Sequence, residues 1–316
     1  MDFTVIICTY NRSHNLPGCI DYLACQQGAE GFDWEVLIVD NNSSDNTREV
    51  VEELVRMSRI KLRYTFEPQQ GLNHARNRGI EESDSRYFCY VDDDILVDSN
   101  WLAALYEALE SKDADAVGGR IHLDPGIRLP PWITPEVQGF LGYQDYGDEP
   151  FMMDGKTQYP YGGNMSINRR VVNRIGMFNP KLGRKGEGRS RNELFKGAET
   201  DYFHRLAATG DARIFYEPRA VVYHQVLPHQ LKRKYLLTIH YNAGLQKAYY
   251  DATSYPRRML GIPLFLYPQC GRAIVKYLGQ LLTRGPNHAF RQLMTVGNFL
   301  GTMAGYSKID RKAEGL

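Results

Sequence analysis

Phe3-Thr-Val-Ile-Ile-Cys8 is a short, β-branched apolar run that stops abruptly in Thr9-Tyr10-Asn11-Arg12. A strand buried on both faces reads this way. Trp34-Glu-Val-Leu-Ile-Val39 repeats the pattern and ends in Asp40-Asn41, and residues 86–91 repeat it again before Asp92-Asp93-Asp94. Residues 61–66 are a further strand candidate. Between these runs Leu16, Cys19, Ile20 and Leu23 recur at helical spacing, as do Val50, Val51, Leu54 and Val55, and residues 72–81 also read as a helix. Asn41-Asn42-Ser43-Ser44-Asp45 offers turn and capping chemistry ahead of the second helix. Strands alternating with helices predict an α/β fold with a parallel sheet covered on both faces. Ligands of such sheets bind beyond the carboxyl ends of the strands. The polar residues that follow each apolar run are therefore expected to converge.

The rest of the chain is less regular. Residues 120–160 are rich in Pro, Gly and aromatics without periodicity, which predicts an irregular excursion over the sheet. Residues 171–175 and 197–210 read as helices, with a Gly/Arg/Lys-rich stretch between them (Gly183-Arg-Lys-Gly-Glu-Gly-Arg) expected to be a mobile loop, and residues 214–224 carry the last strand signals. Beyond about Leu227 the pattern turns helical and basic. Residues 230–316 hold 13 Lys/Arg and 3 Asp/Glu against 25 and 34 in residues 1–229, an asymmetry hidden by the net charge of +1.

At 316 residues, 43% hydrophobic and 24% charged, the composition is that of a globular protein and not of a disordered one. Cys8, Cys19, Cys25, Cys89 and Cys270 are scattered with no C-x-x-C pair, and read as reduced thiols of a cytoplasmic protein. The first residues lack a basic segment followed by a long apolar one, which argues against secretion. No run approaches the ~18 apolar residues of a spanning helix.

Asp92-Asp93-Asp94 carries the chemistry. Adjacent like charges call for a cation among them, and hard oxygen ligands suit Mg²⁺ or Mn²⁺. Mg²⁺ held by one or two carboxylates completes its sphere with substrate phosphates, which points to a phosphorylated ligand. The alternative is a solvated acidic turn or helix start.

In order along residues 3–250, the sequence resembles family 2 of the glycosyltransferases. Val5-Ile-Ile-Cys-Thr-Tyr-Asn-Arg12, Val36-Leu-Ile-Val-Asp40-Asn-Asn-Ser-Ser-Asp45, Gly71-Leu-Asn-His-Ala-Arg76-Asn77-Arg-Gly79 and Val91-Asp92-Asp-Asp94 are each similar to a segment of that family, the last to its D-x-D motif. The resemblance implies a GT-A (nucleotide-diphospho-sugar transferase) fold with a mostly parallel, Rossmann-like sheet and a C-terminal helical region. Its domains would be a catalytic domain at 1–228, divided into a nucleotide-binding half (1–100) and an acceptor half (101–228), and a basic amphipathic region at 229–316. It also implies a metal-dependent hexosyltransferase that uses a nucleotide-sugar donor and inverts the anomeric carbon. Tyr10 would pack on the base and Asp40 accept from its edge, as for uracil. Thr9, Arg12, Arg76, Asp92 and Asp93 would also meet the donor, with Asp92 on the ribose and Asp94 on the metal.

Tyr161-Gly162-Gly163-Asn164 resembles the family's glycine-containing stretch beside the donor sugar, which assigns Gly163 and Asn164 to donor binding; a plain turn is the alternative. Gly197-Ala-Glu199-Thr-Asp201-Tyr-Phe-His-Arg205 resembles the segment with the catalytic carboxylate, but Ala198 stands at the first acidic position. Aligned on Gly197 and Arg205, the base falls on Glu199. Asp201 is second, and its spacing to Arg205 also suits a helical ion pair. His224, after the last strand, is a further metal ligand by resemblance and a structural histidine otherwise.

The acceptor is expected to be a saccharide or lipid-linked saccharide in cell-surface polysaccharide synthesis, and nucleic acid is not among the expected partners. Residues 229–316 suit an interfacial helical region on an anionic inner membrane face; packing on the catalytic domain or a homo-oligomer contact are the alternatives. Two rival functions remain: a nucleotide-sugar-binding protein without turnover, which Ala198 favours, and a sugar nucleotidyltransferase, which would carry a glycine-rich basic loop where Thr9 to Arg12 stand.

Overall fold

The computed structural model describes residues 1–187, 193–195, 197–251 and 255–313. Its elements in chain order are β1 (Phe3–Thr9), α1 (Leu16–Ala24), β2 (Trp34–Asp40), α2 (Thr47–Met57), β3 (Leu62–Phe66), α3 (Leu72–Glu81), β4 (Tyr87–Asp92), β5 (Ile95–Val97), α4 (Trp101–Ser111), β6 (Ala116–Leu123), α5 (Pro135–Gln138), β7 (Phe151–Met153), β8 (Met165–Asn168), α6 (Arg169–Ile175), α7 (Ala198–Ala207), β9 (Ile214–His224), α8 (Arg233–Tyr250), β10 (Arg258–Met259), β11 (Ile262–Pro263) and α9 (Leu266–Ala313). They form two compact units. The first takes residues 1–127, 142–187 and 197–226, and the second the described parts of 128–141, 188–196 and 227–316.

The first unit is built on a sheet of order β3-β2-β1-β4-β8-β6-β9-β5, with β7 paired to β9 as well. Strands β1 to β4 are mutually parallel, and β6 and β9 run parallel to each other. Between these groups β8 is antiparallel to both β4 and β6. The central residues of β1 and β2 are fully buried, as strands covered on both faces must be. One face packs Leu16 and Ile20 of α1, Val51 of α2 and Trp101, Leu102 and Leu105 of α4. The other packs Ala75 and Ile80 of α3, Val171 of α6 and Tyr202 and Phe203 of α7. Helix α3 lies against β1 only because residue 79 is glycine, since a Cβ there would stand 2.6 Å from Ile6 Cγ2.

Residues 120–160 are more regular than expected. Strand β6 runs on to Leu123, and α5 and β7 follow. Within β6 a Cβ at Gly119 would fall 2.1 Å from the Ala220 carbonyl oxygen, so here glycine marks close approach inside a sheet. Of residues 183–189, expected to form a mobile loop, 188 and 189 lie outside the described residues.

In the second unit α8 and the later part of α9 touch backbone to backbone. A Cβ at Gly244 would stand 2.0 Å from the Asn298 carbonyl oxygen, and one at Gly301 1.9 Å from that of Tyr241. Helix α9 breaks at Gly285 (φ 76°) and resumes at Pro286, the usual division of labour between these residues at helix ends and starts. Within the tail, whose pattern reads as helical and basic, residues 258–263 form an antiparallel hairpin, β10–β11. Its turn passes through Leu260 (φ 53°) and Gly261 (φ 77°). No described helix is long and apolar enough to cross a membrane.

Candidate active site

The carboxyl ends of β2, β1 and β4 lie side by side, with Thr9 opposite Asp40 and Cys8 opposite Asp92. After β1 and β2 the chain turns through Asn11 (φ 52°) and Asn42 (φ 64°), a residue type that tolerates the left-handed region. The two loops are stitched together. The Asn11 amide donates to Ser43 Oγ at 2.9 Å and the Ser44 amide to Asn11 Oδ1 at 2.7 Å. Asp40 is buried, accepting from the Ser43 amide at 2.9 Å and the Tyr64 hydroxyl at 3.0 Å. Tyr10 stands half-buried at the end of β1.

Asp93 and Asp94 turn the chain from β4 into β5. Thr9 Oγ1 donates to Asp93 at 2.7 Å, and Arg12 Nη1 bridges Asp93 Oδ1 and Asp94 Oδ2 at 2.9 Å each. The chain thus brings a cation of its own, Arg12, to two of the three carboxylates. Thr9 Oγ1 and Arg12 Nη1 are thus engaged inside this cluster, at the strand ends where the donor is expected. Burial, reinforced by Asp94, pushes the Asp93 carboxyl up to about 6 against the pull of Arg12 and Thr9. Burial and Asp94 likewise raise Asp92, against Arg76. Burial opposes the charge on Asp94 too, yet His224 and Arg12 hold it below the ordinary carboxylate range.

Pairing of β5 with β9 sets Ile95 opposite His224. His224 Nε2 then stands 3.5 Å from Asp94 Oδ1, a buried oxygen that receives no hydrogen bond. On the other side of the imidazole lies Gly142 (φ 94°), where a Cβ would come within 3.2 Å of Nδ1.

A second group adjoins Asp92. Arg76 of α3 is buried against the rings of Tyr90 and Phe178, and its Nη2 donates to Glu199 Oε1 at 2.9 Å. Arg76, expected near the base and phosphates, is here the partner of the candidate base, and its Nη1 is buried without a hydrogen bond. A Cβ at Gly162 would fall 2.0 Å from Arg76 Nη2 and 2.4 Å from Glu199 Oε1, while one at Gly163 would lie 3.5 Å from Asp92 Oδ2. The glycine pair therefore runs between the Arg76–Glu199 pair and the acidic strand end. Asp201 forms the helical ion pair with Arg205 at 3.0 Å. Asn164 is turned inward: its Nδ2 donates to the carbonyls of Arg120 and Ala220 and its Oδ1 accepts from Trp101 Nε1 at 2.8 Å. Its side chain braces the turn.

Residues 4–176 match the sequence model of glycosyl transferase family 2. The chain belongs to that family. As a family 2 glycosyltransferase it is 24% identical over 285 residues to the glucosyl-dolichyl phosphate glucuronosyltransferase of Haloferax volcanii, covering 89% of this chain and 83% of the relative. It is 25% identical over 240 residues to the succinoglycan biosynthesis protein ExoM of Rhizobium meliloti, covering 75% and 71%. Its fold is similar to the mannosyltransferase PcManGT from Pyrobaculum calidifontis, solved with GDP-Man and Mn²⁺, with a TM-score of 0.62, 17% identity and coverage of 98% and 87%. S. aureus TarS 1-349 with UDP-GlcNAc gives 0.56, 16%, 100% and 92%. The fold is GT-A.

Asp94 and His224 fit a divalent ion, because an orphaned hard oxygen faces an imidazole nitrogen. Among the described residues no group of three His, Cys, Asp or Glu is gathered to hold one, so phosphate oxygens and water would complete the sphere. Gly142, Gly162, Tyr64 and Trp101 were missed as site residues by sequence reading. Only Gly162 carried a signal, as the first glycine of the quoted pair.

Proposed function

We propose that this family 2 chain transfers a sugar, with inversion, from a nucleotide-diphosphate donor to a saccharide or lipid-linked saccharide acceptor in cell-surface polysaccharide synthesis. Uridine is the proposed base, through Tyr10 and Asp40. The observation that carries the reading is the single carboxylate of Glu199, fixed by buried Arg76 and adjoining, through Gly162-Gly163, the acidic end of β4. The names of the two relatives, a glucuronosyltransferase acting on a dolichyl phosphate sugar and a succinoglycan biosynthesis protein, support the substrate class. The reading gives donor binding to residues 1–100 and the acceptor side to 101–228.

Glu199 takes the proton of the acceptor hydroxyl as that oxygen bonds to the anomeric carbon, which is general base catalysis. The bond from that carbon to the diphosphate breaks in the same displacement, and the diphosphate leaves with the electron pair. One attack from the opposite side inverts the centre. Asp94 and His224 would hold Mn²⁺ or Mg²⁺, which would supply Lewis-acid stabilisation of charge on the diphosphate.

The test is Glu199→Gln in the full chain. Transfer should fall by about 100-fold or more while calorimetric uptake of the donor with Mn²⁺ is unchanged. Retained transfer moves the base to Asp201 or elsewhere. A product with retained anomeric configuration by NMR overturns inversion, and a larger melting shift with GDP-sugars than with UDP-sugars overturns the uridine assignment.

A further inference from the structure

We propose that the β10–β11 hairpin and the first segment of α9 form a docking face for an anionic lipid bilayer. A two-residue turn with both central residues at positive φ is normally made by Asn-Gly or Asp-Gly. Here the first position is Leu260, at φ 53° and 79% exposed. A bulky side chain held in a disfavoured conformation and turned to solvent gains nothing within the chain. Met259 beside it and Leu264 and Phe265 after the hairpin are exposed as well.

The hairpin is tied to α9, since the Tyr267 hydroxyl donates to the Met259 carbonyl at 2.8 Å. On α9 itself Val275, Leu278 and Leu282 recur on one helical face, with Val275 70% and Leu282 86% exposed. The whole region is of one charge sign. Between Asp251 and Asp310 the sequence has no Asp or Glu and seven Lys/Arg, of which Arg257, Arg272, Lys276 and Arg284 are exposed.

Apolar groups accompanied only by positive charge match a surface with acyl chains beneath anionic head groups. A second copy of the same face would bring like charge against like, which argues against self-association there. This face serves attachment and is independent of the chemistry proposed for the first unit.

The full chain is sedimented with vesicles of phosphatidylcholine alone and of phosphatidylcholine mixed with phosphatidylglycerol. It should partition to the mixed vesicles, and less so as salt rises. Leu260→Asn removes the apolar group while supplying the residue such a turn prefers, so the thermal midpoint should hold while affinity falls by about tenfold or more. Arg257→Gln and Lys276→Gln should each lower affinity about fivefold. Equal partition to both vesicles, no partition to either, or variants that bind as the wild type does would overturn the proposal. So would a dimer, seen by light scattering, that Leu260→Asn dissociates.

Discussion

A methyl group at residue 162 would have nowhere to go. It would stand 2.0 Å from Arg76 Nη2 and 2.4 Å from Glu199 Oε1, so the ion pair must shift to admit it. Misplacing a catalytic group by about 1 Å costs on the order of 100-fold in rate. Gly162→Ala is therefore expected to lower kcat by about that factor with little change in donor affinity; an unchanged kcat would disconnect Glu199 from the reaction. The same change at Gly163, whose nearest neighbour is Ile95 Cδ1 at 3.3 Å, should be much milder. His224→Ala leaves Asp94 Oδ1 without its facing nitrogen, and Mn²⁺-assisted donor uptake by calorimetry should fall about tenfold or more. The acidic strand end was legible in sequence because a string of carboxylates after an apolar run is unusual, whereas Glu199 was picked out only through the family resemblance. The bridge from Arg12 to Asp93 and Asp94 and the inward turn of Asn164 were not, because partners 44 to 82 positions apart decide where those side chains point.

Asp115, just before β6, is an anchor between elements. It accepts from Arg170 Nε at 2.8 Å and Arg174 Nη2 at 2.7 Å, both on α6, and from the Arg213 amide at 3.0 Å ahead of β9. Burial alone would raise its carboxyl, but the Arg213 amide and the two guanidinium groups hold it below the usual range. A carboxyl lowered in the folded state stabilises the protein fully above the unfolded value of about 4. That contribution is lost as pH falls through the lowered folded value. Asp115→Asn should cost about 2–3 kcal/mol at neutral pH in urea unfolding, at the lower end for a buried pair because both arginines keep contact with solvent. The variant should also lose this part of the acid-induced decline. In the second unit Gly301→Ala should cost about 1–3 kcal/mol, since the Tyr241 carbonyl must move for α8 and α9 to stay paired. Strands β1, β2 and β4 were legible from pattern alone, because each apolar run there is long and closed by polar residues. Strands β5, β7 and β8 have three or four residues each, too short for any period to emerge, and the tail hairpin has no Asn-Gly to announce it.

On the scale of the whole molecule, sequence suggested a boundary near residue 228 from the change of charge, but charge does not record which segments share a core. The second unit draws in residues 128–141 and part of 188–196 from before that boundary. Trp132 packs its ring on Phe290 at 4.7 Å, Phe140 on His240 at 4.3 Å, and Asn242 Nδ2 donates to the Leu194 carbonyl at 2.9 Å. A chain ended at Val226 would strip those partners from side chains that are apolar and, for Trp132, Leu141 and Leu194, buried. Each such aromatic or aliphatic group returned to water forfeits about 1.5–3 kcal/mol. The shortened chain is therefore expected to bind a hydrophobic dye and to associate on size exclusion, where the full chain does neither. A shortened chain that stays monomeric, ignores the dye and takes up the donor normally would mean that these segments keep their fold without α8 and α9. Point substitutions in the full chain thus separate attachment from catalysis more cleanly than deletion does, because deletion removes both the proposed membrane face and the packing that residues 128–141 rely on.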